Sequence, residues 1–122
     1  MEPEKCDIYF VSMGENAQKK AAALAALFRE DGYRAEFDVV GRGLKPQMKY
    51  ADKIGAKFVM VLGDSELESN TAKFKEMKTG RQTEVTLGNE ILDTFNDIYC
   101  SAIFEDDPEI LEALEKTLSG DK

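Results

Sequence analysis

Histidine and tryptophan are absent from the 122 residues, and only two cysteines and three prolines occur. Without histidine there is no Ser-His-Asp triad, no Cys-His dyad and no imidazole-ligated zinc. Cys6 and Cys100 stand at opposite ends of the chain and outside any CxxC motif. They cannot form a four-thiolate site, and they read as buried, reduced thiols of a cytosolic chain. The longest apolar runs, such as Phe58 to Leu62, are far too short to span a bilayer. Met1 to Lys5 contains no apolar stretch of the kind a secretory signal needs. What is present, 43% hydrophobic and 33% charged residues, is the composition of one soluble globular domain.

Apolar spacing gives the order of elements. Ile8-Tyr9-Phe10-Val11 reads as a buried strand. Ala17, Ala21, Leu24, Ala25 and Phe28 keep helical spacing up to Asp31-Gly32, where a helix stops. Arg34 to Phe37 predicts a second strand. Pro46 predicts the first turn of a second helix, with Leu44, Met48, Ala51 and Ile54 inward and Gly55 closing it. Lys57 to Leu62 predicts a third strand. Strand-helix-strand-helix-strand implies right-handed crossovers and a parallel sheet. Thr71 to Lys78 then alternates, with Ala72, Phe74 and Glu76 on one face, and Gln82 to Leu87 alternates after Thr79-Gly80. These predict an antiparallel hairpin added to the sheet. Leu87, Ile91, Phe95 and Ile98 form a helical stripe. Asp107-Pro108 predicts the cap of a short last helix carrying Ile110, Leu111, Leu114 and Leu118, and Gly120 its end.

The net charge of −8 is uneven. Residues 99–122 hold seven acids against two lysines. Residues 42–81 hold nine basic residues against five acids. A local basic surface on an acidic protein suits a restricted nucleic-acid contact and not broad duplex binding. The same pattern also describes a solvated face of mixed charge.

In an open parallel sheet, ligands bind beyond the carboxyl ends of the strands. Three glycine-bearing segments meet there: Met13-Gly14-Glu15-Asn16, Val40-Gly41-Arg42-Gly43 and Gly63-Asp64-Ser65-Glu66. Gly41-x-Gly43 is no dinucleotide fingerprint, because the third glycine is missing and it follows the wrong strand. Glu15, Asp64 and Glu66 have three readings: an acid–base or magnesium cluster, caps of the elements that follow, or acceptors for the amino and imino groups of unpaired RNA bases.

The run from Gly41 through Arg42-Gly43-Leu44-Lys45-Pro46-Gln47-Met48-Lys49-Tyr50-Ala51 to Phe58 resembles the C-terminal anticodon-binding domain of class II aminoacyl-tRNA synthetases, nearest to the histidyl branch. Val61-Leu62-Gly63-Asp64-Ser65-Glu66-Leu67, Phe74-Lys75-Glu76-Met77 and Thr79-Gly80-Arg81-Gln82-Thr83-Glu84-Val85 agree in order and spacing. The resemblance covers about residues 6–98. It implies an α/β, three-layer fold with a five-stranded mixed sheet, three parallel strands plus an antiparallel hairpin, flanked by three helices. To this the present sequence adds a short C-terminal helix. The expected division is a domain over 1–98 and an acidic extension over 99–122 within the same structural unit.

The resemblance further implies that Met13, Gly14, Glu15, Arg42, Lys45, Gln47, Gly63, Asp64 and Glu66 meet the anticodon of a histidine tRNA, and that Lys75 and Arg81 touch the stem backbone. Tyr50, Phe58 and Tyr9 are the aromatic faces on which a base could stack, and Tyr50 and Phe58 also read as core or helix-surface residues. No catalytic residue, metal or cofactor is expected of this domain. ATP and magnesium belong to the catalytic domain of a parent histidine–tRNA ligase, expected to be a cytoplasmic homodimer that touches no membrane. Two alternatives come from other classes. One is a protein-interaction or dimerisation module of a synthetase-like regulatory paralogue. The other is a small enzyme built on Asp64 and Glu66.

Overall fold

The computed structural model describes residues 5–106 and 108–118. Chain order is β1 (Ile8–Ser12), α1 (Glu15–Glu30), β2 (Ala35–Phe37), α2 (Leu44–Lys53), β3 (Phe58–Leu62), α3 (Asp64–Ser69), β4 (Thr71–Glu76), β5 (Gln82–Thr86), α4 (Ile91–Asp106) and α5 (Pro108–Leu118). The sheet runs β2-β1-β3-β4-β5. β1 lies parallel to both β2 and β3, and β4 lies antiparallel to β3 and β5. The expected mixed sheet of three parallel strands and a hairpin is therefore the observed one.

Each face of the sheet has its own apolar layer. The five α1 positions of the expected stripe are all buried, and four of them are alanine or leucine, which let the helix approach closely. Phe28 meets Phe10 edge-on at 5.3 Å between ring centroids and Phe74 at 6.3 Å. On the opposite face Cys6, Tyr9, Val11 and Val59 pack with Ala51 and Ala56, flanked by half-buried Met48 and Ile54. Burial pushes the Cys6 thiol up to about 12. Cys100, expected to be buried, is exposed on α4.

α2 departs from its expected stripe. Leu44 is its first residue and is 44% exposed, while Gln47 is fully buried in the inward row. The helix begins two residues before Pro46, which is tolerated because the N–H groups of a first turn have no partner within the helix. α3 was not expected at all; its six residues carry no apolar stripe. Leu87 continues the hairpin instead of opening a helix, its N–H donating to Asn70 O at 2.8 Å.

The edge strand β2 is three residues long. Arg29 Nε donates to Ala35 O at 2.8 Å along it, and Arg29 also faces Glu36 at 3.5 Å. The chain divides into two compact units between Asn89 and Glu90. The second unit holds α4 and α5, and position 98, the expected end of the domain, falls inside α4. The Asp107 cap and the Gly120 stop lie outside the described residues.

The α1 packing predicts a contrast between neighbouring leucines. Leu24→Ala, at 5% exposure, should cost about 2–5 kcal/mol. Leu27→Ala, at 38% exposure, should cost less than about 1 kcal/mol. Urea denaturation of the two variants checks the assignment, and equal losses would contradict it.

Candidate nucleic-acid interface

The end of β1 and the loop after β2 are held by two buried polar side chains, Gln47 and Asp38. Along β1, Ile8 N donates toward β2 (Arg34 O, 3.3 Å) and Met13 N donates toward β3 (Leu62 O, 2.9 Å). Strand alternation therefore turns the main-chain groups of Ser12 to the β2 side. β2 has ended by then: its register with β1 stops at Phe10↔Phe37, and Val39 is 72% exposed. Gln47 fills the gap. Its Oε1 accepts from Ser12 N at 2.9 Å, and its Nε2 donates to Ser12 O at 2.8 Å and to Arg42 O at 2.6 Å. A primary amide thus replaces the missing strand neighbour, donor for donor and acceptor for acceptor.

Asp38 shapes the loop between β2 and α2. One carboxylate oxygen accepts from Gly41 N and Arg42 N, each at 2.7 Å, and the other from Arg42 Nε at 2.8 Å. Gly41 sits at φ +88°, a conformation that glycine takes without steric cost. The Asp38 main-chain carbonyl accepts from Gln18 Nε2 at 2.9 Å, which joins α1 to the same loop. Burial pushes the Asp38 carboxyl up, but the Arg42 side chain and the loop amides outweigh it and hold it below the usual carboxylate range. Arg42 lies over the Tyr50 ring at 5.1 Å, with its side chain 37% exposed. Its own ionisation is raised by the hydrogen bond to Asp38. Tyr9, edge-on to Tyr50 at 5.9 Å, is pushed up to about 12 by burial and then by the Asp38 charge.

This frame brings most of the expected residues to one end of the sheet. Met13 is 38% exposed, and its Cβ lies 3.8 Å from where a Cβ on Gly63 would be. Gly14 is the N-cap of α1 at φ +102°. The Glu15 side chain is 84% exposed and pairs with Lys19 at 3.9 Å. Lys45 and Asp64 are exposed. Glu66 Oε1 accepts from Gly63 N at 2.9 Å and so caps α3, one of the roles open to it in the sequence. Glu15, Asp64 and Glu66 therefore serve separately. Among the described residues, no three metal-ligating side chains converge.

Three placements differ from a simple contact surface. Gln47 is fully buried and reaches solvent only through the loop it holds. Lys75 is half-buried on β4 opposite Val59. Arg81 follows the hairpin turn, beside Glu76, whose N–H donates to Arg81 O at 2.8 Å; this is the end of the sheet away from the strand termini. Of the aromatic candidates, Phe58 (2% exposed) and Tyr9 (fully buried) offer no face to a base, whereas Tyr50 is 38% exposed.

A cleft of about 440 Å³ opens beside this end, on the sheet face that α2 covers only in part. Val59, Val61 and Ala72 line it, with Leu44 and Met48 of α2 and the lysines Lys73 and Lys75 of β4. Apart from Lys75 and Glu66, its lining was not among the expected site residues. The available signal was strand alternation, which sets Lys73 and Lys75 opposite the buried Phe74 face.

Residues 6–94 match the anticodon binding domain family. The histidine–tRNA ligase of Clostridium perfringens is 51% identical over 92 residues, which are 75% of this chain and 22% of that protein. The histidine–tRNA ligase of Halothermothrix orenii is 46% identical over 88 residues, 72% of this chain and 21% of that protein. The apo histidyl-tRNA synthetase structure from S. aureus superposes with a TM-score of 0.71 at 39% identity, covering 75% of this chain and 23% of that one. The chain thus spans about a fifth of the length of these curated relatives.

Two predictions follow from the frame. Gln47→Glu retains shape and acceptor but leaves Ser12 O and Arg42 O facing a carboxylate, so it should destabilise the fold by more than about 2 kcal/mol. Gln47→Leu should cost about 2–4 kcal/mol through the same unpaired groups. Paired denaturant melts check the order. For Asp38, a carboxyl lowered by folding adds stability above its unfolded value of about 3.9, and that stability is lost as pH falls through the lower folded value. Asp38→Asn should therefore be less stable at neutral pH, by about 1–3 kcal/mol, and should lose less on acidification below about pH 4 than wild type. Melting curves from pH 7 to 2 test this; parallel acid limbs would contradict it.

Proposed function

We propose that this chain, which belongs to the anticodon binding domain family, reads the unpaired anticodon bases of a histidine tRNA as the C-terminal domain of a histidine–tRNA ligase. The observation that supports it most directly is the strand-end frame. Gln47 and Asp38 fix the end of β1 and the loop after β2, and Glu66 caps the turn after β3, without using the outward faces of Met13, Glu15, Lys45 or Asp64. Single-stranded RNA is read by splayed bases, and both partner types for their edges are here: loop amides that donate and carboxylates that accept.

In this reading the glycine-bearing loops, with Met13, Gly14, Glu15, Gly63, Asp64 and Glu66, face the bases. Lys45 and the open side of Arg42 face phosphates. Gln47 acts through the loop it positions. Tyr50 offers the stacking face. Lys75 and Arg81, set progressively farther from the strand ends, suit the more distant stem backbone. The cleft floored by Val59 and Val61 and rimmed by Lys73 extends the surface for an extruded base. The domain carries out no chemistry and holds no cofactor. Aminoacylation, with its ATP and magnesium, belongs to the rest of a cytoplasmic, homodimeric parent enzyme.

Lys45 is the cleanest probe, being exposed, whereas Arg42→Ala would also strip the partner from buried Asp38. Lys45→Ala should weaken cognate and base-substituted anticodon hairpins alike and reduce the salt slope by about 0.7–1. Glu15→Gln should instead change discrimination between hairpins. Titrations at several salt concentrations separate these effects. If the folded protein binds no hairpin above background, the reading fails and a protein-interaction module takes its place, with light scattering as the measurement to follow.

A further inference from the structure

Tyr9 stands in β1 with its side chain in the apolar layer beneath α2, among Val11, Ala51 and Val59. It is fully buried, and its Oη is the one buried side-chain nitrogen or oxygen among the described residues that has no hydrogen-bond partner. Such a group gives up its water on folding and gains no bond in return, so it lowers stability. Phenylalanine would fill the same place without that cost. The hydroxyl therefore calls for a partner that the protein alone does not supply.

Its surroundings indicate which partner fits. The Tyr9 ring meets Tyr50 edge-on at 5.9 Å, and Arg42 Cζ lies over that same Tyr50 ring at 5.1 Å. Tyr9 and Arg42 thus adjoin one aromatic ring. Burial and then the Asp38 charge push the Tyr9 ionisation up, and the Arg42 guanidinium draws it back, which sets the hydroxyl toward the Asp38–Arg42 pair. Asp38 is already satisfied, accepting from Gly41 N, Arg42 N and Arg42 Nε. Arg42 gives Asp38 only its Nε–H, so the N–H groups of its terminal nitrogens remain to be placed.

We propose that Tyr9 is a positioning residue for RNA: its buried hydroxyl accepts a hydrogen bond from a terminal nitrogen of Arg42 when that guanidinium engages an RNA phosphate, and only then. The identity of the ligand rests on the function proposed above. Forked engagement of a phosphate fixes the plane of a guanidinium. In the free protein Asp38 and Tyr50 set that plane, and Tyr9 is left over. A contact strengthens binding only where it differs between the free and the bound state, and this one is made in the bound state alone. One hydroxyl thus acts with opposite signs, against the stability of the free domain and in favour of its complex.

Tyr9→Phe in the full chain separates the two signs. Its stability to urea should equal or exceed that of wild type. Its binding to anticodon stem–loop RNA should weaken about tenfold, the loss of one hydrogen bond to a charged group. Cognate and base-substituted loops should lose alike, with the salt slope unchanged, because no phosphate contact is removed. In an Arg42→Lys background, which keeps the charge and removes the fork, Tyr9→Phe should change RNA binding by no more than about twofold. A second probe needs no RNA. Inorganic phosphate, titrated against chloride at equal ionic strength, should shift the Tyr9 Cζ resonance of wild type and leave that of Arg42→Lys in place. Such a shift in a protein that binds no hairpin would defeat the RNA reading and uphold the acceptor for free phosphate. Wild-type RNA binding that Tyr9→Phe leaves unchanged would overturn the proposal, as would a full loss in the Arg42→Lys background or a Cζ resonance that neither probe moves. A Tyr9→Phe protein less stable than wild type would also overturn it, by marking the hydroxyl as a structural group.

Discussion

Everything at the functional end of this domain depends on one side-chain amide standing in for a strand. β2 leaves the sheet after Phe37, two residues before β1 is finished, and the carbonyl and N–H of Ser12 would otherwise be buried without partners. Gln47 supplies both, and its remaining donor holds Arg42 O. The early departure of β2 is what frees the Val39–Gly43 segment to become a loop. The amide is what prevents that freedom from reaching the strand. A longer β2 would satisfy Ser12 equally well and would leave no loop.

Asp38 extends the same logic to charge. A buried carboxylate is costly unless its partners are close and complete, and here they belong almost entirely to the loop it organises. Its cation, Arg42, is held by Asp38 on one side and by the Tyr50 ring on another. An arginine already oriented by its own protein loses little side-chain entropy on meeting a ligand. The geometry thus holds this charged group between Asp38 and Tyr50.

Much of this architecture was legible in the sequence, for definite reasons. The α1 stripe was read residue by residue because alanine, leucine and phenylalanine at helical spacing have few other uses. The faces of β4 were read because Ala72, Phe74 and Glu76 alternate strictly with lysines. Gln47 is singled out by the resemblance alone, as an RNA contact; its structural role escapes periodicity, which registers apolar residues only, and its partner, Ser12, is 35 positions away and offers main chain, which has no letter. Leu44 was assigned inward for its apolarity, yet a first-turn residue projects past the sheet it would need to cover. α3 escaped because six residues with a side-chain cap at Glu66 carry no repeat to detect. The cleft was hidden for another reason: it depends on how much of the sheet a ten-residue helix leaves uncovered.

The short edge strand has a consequence for how the protein behaves among its own copies. An unpaired edge is normally a template on which a second chain can add a strand and begin aggregation. β2 offers only three residues, and Arg29 already occupies the outward carbonyl of Ala35 while its charge is shared with Glu36. At this edge a neighbouring strand would find too few free groups to register against, and a guanidinium in the way. The same brevity that opens the loop after β2 therefore also leaves this edge a poor template for strand addition by a neighbouring copy.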